Sequence, residues 1–353
     1  MNRPAAASPR ILVVRTSAIG DVVFASPLAA ALRRSWPGAY IAWVVEPGID
    51  ALIASDPAID ECIVWPKTQW LELWRRRHWA ELWRRVGAFR AQLRQRHFDL
   101  ALDLHGLAKS ALIARMSGAP RRVGLGAREG SRWLVTEVVE RAGDPARIGS
   151  EYLHLAQYLG LECDDFLPRL SLDANTEQRA LAQLAKRGIE PARYAVFAAF
   201  TTRPQKHWFE DAWIELAGKL QARTGLRIVL LGGRSDRDAA ARIACAAPGL
   251  VDLTGATDLG EAAAIVRHAA LLVGVDTGLT HMGIAFSVPT VALFGSTRPY
   301  TNTGRANARV VWLGLDCSPC GRRPTCGGAW TCMREITADR VVEEAGLALG
   351  AAK

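Results

Sequence analysis

Short apolar runs that end in a small-residue turn and lead into an amphipathic stretch recur along the whole chain. This recurrence restricts the fold more than any other feature. The run from Arg10 to Arg15 reads as a buried parallel strand, and after the turn Thr16 to Gly20 an amphipathic helix starts near Asp21 and ends before Trp36-Pro37-Gly38. Tyr40 to Val45, Cys62 to Trp65 and Leu100 to Leu104 repeat the strand character, with helical stretches between them. A second series follows a polar segment around Asp173 to Arg193. Its strands are Tyr194 to Phe200, Arg227 to Leu231, Leu271 to Val275 and Thr290 to Phe294, and its helices include Asp211 to Ala222, Asp236 to Ala246 and Leu259 to His268. Alternation of this kind builds doubly wound parallel sheets. A length of 353 residues exceeds what one core usually supports. The expectation is therefore two α/β domains in tandem, residues 1–172 and 173–335. A last helical stretch, Ala338 to Leu349 within 336–353, is a candidate to pack back on the first domain.

Half of the residues are hydrophobic (50%) and 22% are charged, which suits a chain that buries a core and argues against intrinsic disorder. No uninterrupted apolar run reaches the roughly 18–20 residues that cross a bilayer. Met1 to Pro9 is too short and too Pro/Ala-rich for a signal peptide. The expected location is cytoplasmic. The net charge of +9 sits mostly between Lys67 and Arg96, where nine basic residues face only Glu72 and Glu81. The same region, counted from Trp65, holds five of the twelve tryptophans, and Trp70-Leu-Glu-Leu-Trp-Arg-Arg is nearly repeated from Trp79. One reading is an amphipathic helix whose Trp and Leu side chains pack on their own domain while the arginines are solvated. The other is a face that meets an anionic surface, since Trp favours the headgroup region and basic residues are drawn to anionic lipid. Nucleic acid ranks last because no recognised nucleic-acid module accompanies the stretch.

Seven cysteines are present. Cys62, Cys163 and Cys245 are scattered through apolar surroundings and read as small hydrophobes. Cys317, Cys320, Cys326 and Cys332 form a cluster that suggests a structural zinc site before it suggests disulfides, although one close pair followed by two singles is only partly zinc-like.

Ligands of open parallel sheets bind beyond the carboxyl ends of the strands, so the turns there should carry the chemistry. The turn Thr16-Ser17-Ala18-Ile19-Gly20-Asp21 lacks the dinucleotide glycine fingerprint and puts a carboxylate at a helix start, which by spacing alone reads as a cap or dipole partner. In Thr201-Thr202-Arg203-Pro204-Gln205-Lys206-His207-Trp208, hydroxyls and a lysine precede a helix, a way to hold phosphate oxygens that a solvated loop would equally explain. In Gly274-Val275-Asp276-Thr277-Gly278-Leu279-Thr280-His281, small residues let a ligand approach the backbone and Asp276 offers an acceptor for sugar hydroxyls. An aspartic protease is set aside, because the second Asp-[Thr/Ser]-Gly that its shared-proton dyad requires is missing.

Together, in this order and spacing, the three turns resemble those of the ADP-heptose:lipopolysaccharide heptosyltransferases of glycosyltransferase family 9, most of all its heptosyltransferase I members, over roughly residues 10 to 345. The resemblance implies an α/β GT-B architecture, two Rossmann-like doubly wound domains facing a central cleft, with the acceptor held by the first and the nucleotide sugar by the second. It implies an inverting transfer of heptose from ADP-heptose to the inner core, Kdo-lipid A, of lipopolysaccharide, with no catalytic metal or cofactor. Carried onto this chain, Asp21 matches the general base. Thr201, Thr202 and Lys206 match the diphosphate loop, and Asp276, Thr277, Gly278, Leu279 and His281 match the segment around heptose and phosphates. Asp236 stands where the family has a ribose-binding Glu, one methylene longer. On the acceptor side, Arg15 replaces a family Lys; Ser17 and Gly20 belong to the same turn, and Lys109 and Arg128 match basic positions that meet anionic sugar groups. His105 is packed, capping or in contact with ligand on this reading. An acceptor embedded in a membrane gives the Trp/Arg stretch a reason to exist, as a peripheral contact with the anionic inner face of the inner membrane. A family transferase acting on a later heptose acceptor or using another nucleotide sugar, and a non-catalytic membrane-associated scaffold, stay open as alternatives.

Overall fold

The computed structural model describes residues 8–352. Residues 1–7, most of the segment read as too short for a signal peptide, lie outside the described residues. The chain divides into two compact units, the first ending at Ser171 and the second beginning at Leu172, with the short segment Pro145–Ile148 belonging to the second. That segment is held by Asn302, whose carbonyl accepts from Ile148 N–H at 2.9 Å and whose N–H donates to the Ala146 carbonyl at 2.7 Å.

The first unit contains strands β1 (Arg10–Val14), β2 (Tyr40–Val45), β3 (Glu61–Val64), β4 (Leu100–Asp103), β5 (Arg121–Leu125) and β6 (Glu137–Val139). All pair in parallel, in the order β3-β2-β1-β4-β5-β6. Helices α1 (Ile19–Ala25), α2 (Pro27–Ser35), α3 (Lys67–Arg75), α4 (Trp79–Arg94), α5 (Ala108–Met116) and α6 (Ser150–Tyr158) accompany them. The single helix expected after Asp21 is two, because Pro27 has no N–H to donate and Ser26 turns its hydroxyl back to the Val23 carbonyl at 2.8 Å. Ile11, Leu12, Val13 and Val14 are fully buried, as a strand covered on both faces requires.

The second unit opens with α7 (Ala174–Ala185), lying within the segment read only as polar; the Asp173 carboxylate caps it by accepting from Thr176 N–H at 2.9 Å. Strands β7 (Tyr194–Ala198), β8 (Arg227–Leu230), β9 (Val251–Asp252), β10 (Leu271–Val275), β11 (Thr290–Phe294) and β12 (Ala308–Trp312) follow in the parallel order β12-β11-β10-β7-β8-β9. Its remaining helices are α8 (Glu210–Thr224), α9 (Arg237–Ala246), α10 (Leu259–Arg267), α11 (Gly278–Ala285), α12 (Thr331–Arg334) and α13 (Ala338–Gly350). Helix α13 belongs to the second unit. Val341, Val342, Ala345 and Ala348 form its buried stripe and sit in the same core as Trp213, Leu216 and Leu220 of α8 and Leu293 of β11.

Both sheets have the Rossmann strand order, and strand succession reverses between β1 and β4 in one and between β7 and β10 in the other. These two points are where chemistry belongs.

Candidate active site

At the reversal point of the first sheet, Arg15 leaves β1 buried. Its Nη1 donates to the Leu104 carbonyl beyond β4 at 3.1 Å and its Nη2 pairs with Asp21 Oδ2 in the first turn of α1. Burial disfavours the guanidinium charge, but Tyr152, Asp21 and Glu151 outweigh it and hold the Arg15 pKa above its ordinary value. The Arg15 side chain is 6% exposed and that of Asp21 is 42% exposed, so the cation lies beneath a carboxylate that solvent reaches.

His105 locks the turn. Its Nε2 accepts from Thr16 N–H at 3.0 Å and, more weakly, from Ser17 N–H at 3.4 Å. Burial, then the charges of Arg15, Lys109, Arg141 and Lys67, push its pKa down to about 2, so the ring stays neutral and able to accept. Asp103 fixes the His105 segment by accepting from the N–H groups of His105 (3.0 Å) and Gly106 (3.3 Å). Gly106 has φ +66°, and a Cβ there would lie 2.6 Å from the Gly126 and Leu125 carbonyl oxygens, so this close approach requires glycine. On the other flank, Glu46 accepts from Ser17 Oγ at 3.0 Å and from Lys67 Nζ at 2.9 Å. Gly20 lies within α1 one residue before Asp21. Lys109 lies in the first turn of α5 and Arg128 is exposed after β5.

In the second sheet, Asp276 follows β10 and gathers three donors. Its carboxylate meets Lys206 Nζ at 2.5 Å, His281 Nε2 at 3.2 Å and Thr297 Oγ1 at 2.5 Å, and its own carbonyl accepts from Lys206 Nζ at 3.4 Å. Burial alone would raise the Asp276 pKa, but His281 and Lys206 overcome it and hold the carboxyl well below the usual range. His281 Nδ1 lies 2.7 Å from the Tyr300 hydroxyl, whose pKa burial drives well above its ordinary value. Thr277 precedes α11, and Gly278 and Leu279 form its first turn, with N–H groups that the helix itself does not use. Thr201 and Thr202 lie in the loop before the short 3-10 turn that carries Lys206, and His207 Nε2–H donates to the Thr201 carbonyl at 2.7 Å. Gly274 permits this assembly: a Cβ there would lie 2.2 Å from Thr280 Oγ1 and 2.8 Å from Ala198 Cβ.

Asp236 turns inward on its own loop. It accepts from Gly233 N–H at 2.8 Å and Ser235 Oγ at 3.3 Å. The four clustered cysteines are all free thiols, and among the described residues no group of three or more His, Cys, Asp or Glu is placed to hold a metal ion. Cys332 is buried, its sulfur 2.8 Å from where a Cβ on Gly295 would be, whereas Cys317 is exposed. Burial, then the neighbouring thiols, raise the Cys332 pKa.

Sequence reasoning missed Glu46, Lys67, Asp103, Thr297 and Tyr300. Glu46 had a signal, since it stands directly after β2 at a strand's carboxyl end. Asp103 had the same signal, ending β4 with its partners two and three residues on; Lys67, Thr297 and Tyr300 are joined by contacts distant in sequence.

The fold is that of a GT-B glycosyltransferase. The sequence model for glycosyltransferase family 9 (heptosyltransferase) matches residues 86–330, and the chain belongs to that family. It is 33% identical over 326 residues to lipopolysaccharide heptosyltransferase 1 of Pseudomonas aeruginosa, covering 90% of this chain and 87% of the relative. The lipopolysaccharide heptosyltransferase 1 of Escherichia coli K12 is 30% identical over 86% of this chain and 92% of its own length. Among solved structures, E. coli heptosyltransferase WaaC with ADP-2-deoxy-2-fluoro heptose superposes with a TM-score of 0.71 at 27% identity, covering 95% of this chain and 98% of that one.

Proposed function

We propose that this glycosyltransferase transfers heptose from ADP-L-glycero-D-manno-heptose to the Kdo-bearing inner core of lipopolysaccharide, with inversion and without a catalytic metal. The observation that carries the reading is the solvent-reachable Asp21 seated on buried Arg15 at the carboxyl end of β1. It is supported by similarity to two enzymes named lipopolysaccharide heptosyltransferase 1 and to a heptosyltransferase solved with an ADP-heptose analogue.

An acceptor hydroxyl attacks the anomeric carbon on the face opposite the diphosphate and gives its proton to Asp21. The new C–O bond forms as the bond to ADP breaks, and ADP departs with the electron pair. Lys206, Thr201, Thr202 and the first N–H groups of α11 meet the charge that grows on it. Thr277 lies at the head of this helix. Asp276 and His281 hold the sugar and position Lys206. Asp236 keeps its loop shaped for the ribose. Lys109, Arg128 and the Ser17 hydroxyl face the anionic acceptor, and Arg15 orients the base. Among the described residues no helix is long and apolar enough to cross a membrane; the enzyme works peripherally, at the cytoplasmic face of the inner membrane.

Purified protein assayed with ADP-heptose and truncated lipopolysaccharides tests the reading. Transfer to a Kdo-terminated acceptor that survives EDTA is expected. Preference for a heptose-terminated acceptor or another nucleotide sugar would move the assignment within the family, and loss of turnover in EDTA with the fold intact would require a metal.

A further inference from the structure

The basic stretch from Lys67 to Arg96 separates into two populations. Five of its basic residues are paired locally: Lys67 with Glu46, Arg76 with Glu72, Arg84 and Arg85 with the one carboxylate of Glu81, and Arg96 with Glu61. Its tryptophans separate likewise. Trp65 and Trp70 pack edge-on in a chain that ends on Phe89, whereas Trp74, Trp79 and Trp83 are exposed.

Like Arg75 and Arg77, Arg90 and Arg94 have no carboxylate partner among the described residues. They point to a groove of about 660 Å³ between α4 and α5, joined there by Arg115 and Arg122. Arg115 is likewise exposed and unpaired, and Arg122 is fixed by backbone carbonyls of Ala119 (2.6 Å) and Leu134 (3.0 Å), which leave its charge uncompensated. Trp83, Val86, Leu112 and Met116 complete the lining. Trp83 and Leu112 are 69% and 48% exposed, and the turn that follows β5 and packs on α5 adds Trp133 at 82%. A free phosphate would satisfy the guanidinium groups and leave the apolar walls wet. A hydrocarbon would do the reverse. Only an anionic amphiphile complements both, and the exposed tryptophans beside it suit the headgroup region of a bilayer.

We propose that the α4–α5 groove is a binding site for an anionic bilayer phospholipid, its phosphate among Arg90, Arg94, Arg115 and Arg122 and its first methylenes against Trp83, Leu112 and Met116. The inference rests on the peripheral-membrane reading above and is separate from the transfer site. Guanidinium groups bind phosphate oxygens in pairs, so several around one cavity give a defined headgroup position where a diffuse basic surface would not.

Full-length protein is tested on vesicles of phosphatidylcholine with and without phosphatidylglycerol, and by calorimetry with dihexanoyl phosphatidylglycerol below its micelle concentration. The variant R90Q/R94Q/R115Q should bind phosphatidylglycerol vesicles roughly 100-fold more weakly at low salt, each charge near the surface contributing about fivefold. A charge-matched control outside the groove, R75Q/R84Q/R85Q, should lose much less, and both variants should keep the parent's melting temperature and its turnover on a delipidated acceptor. Leu112→Trp, which fills the groove without changing charge, should abolish dihexanoyl phosphatidylglycerol binding. Equal losses in the two triple variants, or displacement of the short-chain lipid by equimolar inorganic phosphate, would overturn the groove. Equal binding of parent to both kinds of vesicle would overturn the anionic-lipid site alone, and no binding to either would overturn the membrane reading with it.

Discussion

Asp21 and Asp276 both stand at a reversal point of a Rossmann sheet, and both face a cation, yet their surroundings differ in the property that decides their chemistry. Among the described residues Asp21 has one ion-pair partner, Arg15, buried behind it, and its own side chain is 42% exposed. Asp276 and Lys206 are shielded together, at 15% and 16%, and the carboxylate is also occupied by His281 and Thr297. A carboxylate held far below the usual pKa by its donors is a poor proton acceptor and a good scaffold. One with an open edge is available to a substrate hydroxyl. The comparison supports the proposed division of labour, with proton transfer in the first unit and the holding of charge in the second.

The sharpest attempt to break this comparison is Asp21→Asn, which keeps the shape and removes the basicity. Turnover should fall by about 10²–10⁴-fold while ADP-heptose affinity stays within roughly threefold, measured by steady-state kinetics and calorimetry. Near-normal turnover would reduce Asp21 to a partner of the helix dipole. Next in size is Lys206→Ala, expected to cost about 10²-fold in kcat/KM with donor binding and turnover both impaired, since its charge meets the diphosphate before and during departure. An effect on acceptor KM alone would place Lys206 wrongly.

The smallest effect concerns stability, and it sharpens the contrast by testing the frame beneath Asp21. His105 titrates near 6.5 when unfolded and about 2 when folded, so its contribution is fully present above 6.5 and is lost as pH falls through that window. Melting temperature should therefore fall on acidification, and His105→Gln, whose amide oxygen accepts without titrating, should flatten the acid side of the profile. Parallel profiles for parent and variant would show that this histidine contributes nothing to acid lability.

The central strands were legible because burial on both faces leaves a plain apolar run: β2, β10 and β11 fall on the residues expected of them. The strands that went unseen are those without such a run. β5 begins with two arginines, β6 and β9 have three and two residues, and β12 alternates more and less buried positions. At the candidate site, individual residues were legible and their pairings were not. Arg15 is 5% exposed and its guanidinium joins β4's end to Asp21, a link across a turn that helical spacing does not encode. The cysteine spacing suggests a ligand set; the four thiols are neighbours that differ in burial, Cys332 packed in the core and Cys317 exposed.

The short segment Pro145–Ile148 has a practical consequence for anyone dividing the chain. A fragment beginning at Leu172 would carry nearly all of the second unit but not Pro145–Ile148, leaving the N–H and carbonyl of Asn302 without the partners they have in Ala146 and Ile148 of the whole protein. A fragment ending at Ser171 would keep those four residues with nothing of their own unit to hold them. The two halves are thus better separated by co-expression of overlapping pieces than by a single cut, and a failed half-protein would report on this shared segment before it reported on either core.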